Sequence, residues 1–171
     1  MNSADNDRRQ SWLPAPTPVD EPERLAALRS TELLDMPPAE AFNRITRTVA
    51  GLLKVPIALV SLVDEKRQWF LARHGLEVTE TPRDISFCGH AVAARRTLCV
   101  VDAWQDPRFA GTPLVPGEPH LRAYLGVPLF DDDGQALGTL CVLDRRVRAF
   151  TAEEVQTVQR CAQAVQHLMR R

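Results

Sequence analysis

No apolar run in these 171 residues approaches the roughly 20 needed to cross a bilayer, and the opening MNSADNDRRQSWLPAPTP lacks the apolar core of a secretory leader. A cytoplasmic protein without a membrane partner is expected. Excess charge is missing too: 21 Lys and Arg stand against 22 Asp and Glu, a formal net charge of −1. Proteins that grip a phosphate backbone usually show a basic face or a high pI, so no nucleic-acid partner is expected. Cysteine is sparse. Cys88, Cys99, Cys141 and Cys161 are scattered and form no CxxC pair, which in a cytosolic setting favours free thiols over disulfides. Internal repeats and low-complexity core segments are absent.

What remains is ordinary globular material, 44% hydrophobic and 25% charged, long enough for one core. Residues 1–19 are polar and punctuated by Pro14, Pro16 and Pro18, so a flexible tail is expected there and a domain over 20–171. A helix should start near Asp20, with Pro22 in its first turn. A second carries Phe42, Ile45, Val49 and Leu52 at helical spacing. IALVSLVD is a β-branched run and reads as a buried central strand, with RQWFLARHG as its antiparallel partner. Residues 76–85 read as a polar loop. Ser86 can cap a helix through Arg95. LCVV is a short strand, and a long loop with Pro107, Pro113, Pro116 and Pro119 follows. Loops of that length often form lids or ligand walls. RAYLGVPLFD and QALGTLCVLD form a hairpin around Asp132-Asp133-Gly134. A final helix opens with a capping box at Thr151 and Glu154 and carries Val155, Val158, Ala162, Val165 and Met169 on one stripe. The strand–helix alternation of a doubly wound parallel sheet is absent, so an antiparallel sheet with helices on one face fits better.

SLVDEKRQWF, TPRDISFCGHAV, VDAWQDPRFAGTPLV and RAYLGVPLFDDDGQALGTLCVLDR, in that order, resemble a GAF domain of the kind that opens many bacterial histidine kinases and diguanylate cyclases. The resemblance covers about Asp20 to the end. It implies an α+β, GAF-like (PAS-related) fold with a six-stranded antiparallel sheet. Helices 20–35, 39–53 and 151–171 should pack on one face; the 86–95 helix and the long loop should enclose a pocket on the other. It further implies a non-catalytic sensory role in bacterial signal transduction: a small ligand bound or a signal relayed, a homodimer through the terminal helices, and a signalling output protein acting in trans. Two alternatives keep the same fold: a thiol-dependent redox sensor or enzyme using Cys88, and a ligand-free dimerisation module.

Candidate pocket residues are Trp69, Phe87, Cys88, His90, Asp102, Trp104, Phe109, Arg122, Tyr124 and Cys141. The aromatic members suit a mostly apolar site with a few polar groups, and equally suit a core. Arg122, then Arg83, is the candidate for an anionic ligand, because a guanidinium fork grips carboxylate or phosphate at two points. Cys88 is the redox candidate, since a helix N-terminus favours a thiolate; a small buried gap-filler is the structural alternative. His90 lies two residues on and faces elsewhere. FCGH resembles the GVCG of free methionine sulfoxide reductases, which are GAF enzymes. That family's second, catalytic cysteine belongs in the following loop, and residues 107–123 contain none. Bilin receptors often follow their cysteine directly with His, whereas Gly89 follows Cys88. No catalytic residue, metal site or cofactor is therefore expected. Gly126 and Gly138 interrupt strands, where glycine usually marks a bulge or a close approach.

Overall fold

The computed structural model describes residues 12–170. The run Ile57–Val63 is strand β1, buried at all of its seven positions. Five more strands join it: β2 (Arg67–His74), β3 (Glu80–Pro82), β4 (Leu98–Val100), β5 (Ala123–Phe130) and β6 (Ala136–Asp144). Their order is β3-β2-β1-β6-β5-β4, and every neighbouring pair is antiparallel. Helices α1 (Glu21–Ser30), α2 (Glu40–Leu53), α3 (Phe87–Ala94) and α4 (Ala152–Met169), with a 3-10 turn at Ala103–Gln105, complete the α+β arrangement.

Side chains alternate across a strand, and β1 sends them into two cores. Ala58, Val60 and Leu62 meet Phe42, Val49 and Leu53 of α2 and Val158, Ala162 and Val165 of α4. Ile57, Leu59 and Val63 face the other way, with Phe87, Cys88 and Val92 of α3 and Phe109, Val115 and Leu121 of the long loop. Burial on both faces is why the strand reads as a continuous apolar run. Arg24, 1% exposed, ties α1 to the central strands. It donates to the carbonyls of Val63 and Ala136 and pairs with Glu21 at 2.8 Å.

Several expectations need correction. Helix α1 stops at Ser30, not 35, because Glu32 and Asp35 take left-handed backbone (φ 57° and 62°) that folds Leu33 into the core. On α2 the buried stripe is Phe42, Thr46, Val49, Ala50 and Leu53, while Leu52 is exposed. Residues 80–82 are an edge strand and not loop. Pro82 is tolerated there because an edge strand leaves one row of donors unused. The N-terminal segment was expected to be flexible over 1–19; residues 1–11 of it lie outside the described residues. Residues 12–18 form neither helix nor strand, yet Leu13 N donates to Arg108 O and Ala15 N to Asp84 O.

The capping box of α4 is formed in both directions, Glu154 N to Thr151 Oγ1 at 3.1 Å and Thr151 N to Glu154 Oε1 at 3.0 Å. Its apolar stripe is spent on the sheet, with Val158, Ala162, Val165 and Met169 buried. The outward positions Glu153, Gln156, Arg160, Gln163 and His167 are polar.

Candidate functional site

Ser86 sets the site by starting α3. Its hydroxyl accepts from Gly89 N at 3.0 Å and donates to Arg83 O at 2.6 Å. This cap places Cys88 in the first turn, facing the sheet. Beneath it the register brings polar groups together. Ser61 is opposite Thr139, and Leu59 is opposite Cys141. Thr139 Oγ1 lies 3.1 Å from Cys88 Sγ and Tyr124 Oη lies 3.3 Å from it. The Cys88 and Cys141 sulfurs are 3.8 Å apart. The Ser61 hydroxyl donates to Gln68 Oε1 at 3.2 Å.

Burial by itself raises the Cys88 thiol, but hydrogen bonds from Cys141, Thr139 and Tyr124 outweigh it and hold the thiol below its ordinary value. Burial, together with the neighbouring Cys88 charge, pushes Cys141 and Tyr124 well above their ordinary values.

A cavity of about 240 Å³ opens above this cluster. Its floor is Cys88, Cys141 and Tyr124. Ile57, Leu59, Phe70, Phe87 and Leu143 form apolar walls, and Leu114, Pro119 and Leu121 of the long loop form the side facing them. Glu77, Glu118 and Arg145 stand among its charged lining residues. Arg145 is held by Pro119 O at 3.0 Å. The volume lies just below the usual range for ligand sites, which begins near ~300 Å³.

Residues 37–167 match the GAF domain family. A cyclic di-GMP phosphodiesterase of Pseudomonas aeruginosa is 43% identical over 138 residues, which is 81% of this chain and 24% of that protein. The chain thus spans about a quarter of that relative's length. The chain belongs to the GAF family. Solved GAF structures share the fold at low identity. The GAF domain of the Acinetobacter phosphoenolpyruvate-protein phosphotransferase has a TM-score of 0.65 at 20% identity, over 86% of this chain and 92% of that one. Free methionine-R-sulfoxide reductase of Neisseria meningitidis, in complex with its substrate, has a TM-score of 0.64 at 18% identity, over 86% and 84%.

Of the ten residues singled out in the sequence, this GAF domain brings Phe87, Cys88, Tyr124 and Cys141 to the cavity. Phe109 backs Phe87 in a stacked pair with centroids 4.0 Å apart. The other five are elsewhere. Trp69 packs in the opposite core with α2, because it pairs with Leu62 and so shares the Leu62 face. His90 is buried away from the cavity, edge-on to Phe109, and meets Leu13 O at 3.1 Å. A carbonyl only accepts, so Nε2 carries the proton, and burial lowers the pKa of the imidazole. Asp102 and Arg122 are occupied with each other, with bonds of 2.9 and 3.1 Å, and Trp104 N donates to Asp102. An Arg already gripped by a carboxylate is a poor anion receptor, so Arg122 loses that role. Arg83 loses it likewise through its contact with Glu21.

Ser61, Gln68, Phe70, Leu121 and Thr139 were not anticipated. Period-2 alternation puts Ser61 with Leu59, and Thr139 with Cys141, but does not say which face meets α3. Among the described residues, no group of three or more His, Cys, Asp or Glu is placed to hold a metal ion. No helix there is long and apolar enough to cross a membrane.

Proposed function

We propose that this GAF domain is a non-catalytic sensory module of a bacterial signalling protein, and that a small, mostly apolar ligand with one hydrogen-bonding group occupies the cavity beneath α3. The observation that carries this reading is the cavity of about 240 Å³ with apolar walls and with the Tyr124 hydroxyl and the Cys88 and Cys141 thiols in its lining. Apolar walls supply affinity and a few placed polar groups supply orientation. The missing cysteine in 107–123 speaks against sulfoxide reduction of the kind named for the Neisseria neighbour. The Pseudomonas relative is a phosphodiesterase, with most of its length outside the match. That supports a role in which this domain biases an activity located elsewhere.

The signal route follows from packing. The 113–121 stretch lines the cavity and joins β5, and β5 packs against α4. Ligand contacts with the loop therefore bias the helix layer on the far face.

Native mass spectrometry of protein purified from its own host tests the reading. A mass excess that disappears on denaturation is expected. A bare mass, with no thermal stabilisation by any small apolar alcohol or acid, would sink it.

A further inference from the structure

Cys88 and Cys141 differ from the other cysteines in three ways. They touch each other, they line the cavity, and hydroxyl donors converge on Cys88. Cys99 is exposed on edge strand β4 and Cys161 is half-buried on α4. A disulfide needs its sulfurs about 2.05 Å apart. From 3.8 Å, closure asks for a movement of less than 2 Å, shared between two side chains and the short helix α3.

We propose that Cys88 and Cys141 are a dithiol–disulfide pair at the cavity floor, oxidised by a small organic hydroperoxide that enters through the cavity. This rests on the reading of the cavity as an accessible site. In the first step the Cys88 sulfur attacks the terminal oxygen of the hydroperoxide. An S–O bond forms and the O–O bond breaks. The alkoxide leaves and takes up the proton that the Cys88 thiol released on ionising, becoming the alcohol. Cys88 is now a sulfenic acid. In the second step the Cys141 sulfur attacks the Cys88 sulfur. The S–S bond forms, the S–O bond breaks, and hydroxide departs with the Cys141 proton as water. Two thiols lose two electrons, and one hydroperoxide becomes alcohol and water.

The surroundings assign the two roles. Tyr124 and Thr139 hydroxyls converge on Cys88, and its thiol is the one held down while that of Cys141 is pushed up. The thiolate is the nucleophile, so Cys88 attacks and Cys141 resolves. Apolar walls of Leu59, Phe70, Phe87 and Leu121 favour an alkyl hydroperoxide over a fully hydrated oxidant. Closing the bond draws α3 toward β6 and removes the two thiols from the cavity floor, so oxidation and ligand occupancy become linked.

The test uses the full chain with Cys99→Ser and Cys161→Ser, so that only the cavity pair can react. Reduced protein is exposed to tert-butyl hydroperoxide, alkylated, and weighed intact. The expected product has no alkylatable thiol, is two hydrogens lighter, maps to Cys88–Cys141, and reverts with dithiothreitol. Adding Cys141→Ser is expected to trap a dimedone adduct on Cys88, and Cys88→Ser to slow loss of Cys141 by at least about tenfold. Persistence of both thiols under peroxide that oxidises free cysteine overturns the inference, with no core variant needed. Reaction with hydrogen peroxide alone overturns the organic-hydroperoxide assignment. Binding of benzyl alcohol, read by saturation-transfer NMR on the reduced protein, separates the two proposals. Binding without disulfide formation overturns only this inference. A disulfide together with a bare native mass and no stabilisation by any small apolar alcohol or acid supports this inference and overturns the sensor reading.

Discussion

The Tyr124 hydroxyl reaches Cys88 Sγ at 3.3 Å because residue 126 is glycine. A Cβ at Gly126 would lie 2.1 Å from the Tyr124 oxygen, so the ring lies across a position two residues along its own strand. Gly138 serves a different close approach, since a Cβ there would lie 1.9 Å from the Ser61 carbonyl on β1. One glycine makes room for a side chain at the cavity floor, and the other lets two central strands meet.

Tyr124→Phe removes one donor to Cys88 and leaves the ring in place. A hydrogen bond to a charged group contributes ~1.5 kcal/mol, so the Cys88 thiol should rise by about one pH unit. The alkylation rate of Cys88 as a function of pH reads this directly. A profile that does not move would show that Tyr124 is not a donor to the thiolate. Gly126→Ala should displace the whole ring, raise the thiol in the same direction, and cost ~1–3 kcal/mol in urea unfolding through overpacking.

Leu121→Trp should fill the cavity from the loop side. Leu121 is 3% exposed and forms part of the wall. The extra ring enters a void and not packed core, so the stability change should stay under about 1.5 kcal/mol. Any mass retained by the native protein should be lost. Retention of that mass by a folded Leu121→Trp protein would place the ligand elsewhere.

Glu21 predicts an acid limb to stability. Burial raises its pKa, but the Arg24 and Arg83 guanidiniums overcome that and lower the carboxyl from 4.5 to about 2. A depressed folded value means the contribution is complete above the unfolded value and is lost as pH falls from about 4.5 toward about 2. Glu21→Gln strips the carboxylate from Arg24, which is 1% exposed, and should cost about 3 kcal/mol at neutral pH. The variant's unfolding free energy should also flatten across the acid range. A mutant curve parallel to the wild type would contradict the assignment.

Asp102→Asn serves as the contrast. Its pair with Arg122 is partly exposed, with side chains 16% and 32% accessible. Exposed pairs contribute roughly 0–1 kcal/mol, and neither residue lines the cavity. Stability should change little, and ligand retention not at all. Loss of a bound ligand in Asp102→Asn would restore this cluster as part of the site.

The two ends of this chain's readability lie in β1 and in Trp69. Ile57–Val63 declares itself as a central strand because seven consecutive positions suit burial on both faces. The Ser86 cap, the Thr151–Glu154 capping box and the Asp131–Gly134 turn are likewise local. Their chemistry is complete within four residues. Trp69 was a reasonable pocket residue by type and packs on the opposite face. Nothing near it in the chain says which side of β2 will meet α3.

Sequence alone determined the helix starts, the central strand, the hairpin and the family, because those depend on local propensity, periodicity and motifs in order; the short edge strand at 80–82 escaped it. Tertiary structure decided the site. Cys88 and Cys141 are separated by 53 residues and lie 3.8 Å apart. Their encounter is set by the register that places Cys141 opposite Leu59 and by the packing of α3 over β1 and β6. Register and face are long-range choices, made by the burial of two whole cores, and short segments carry no record of them.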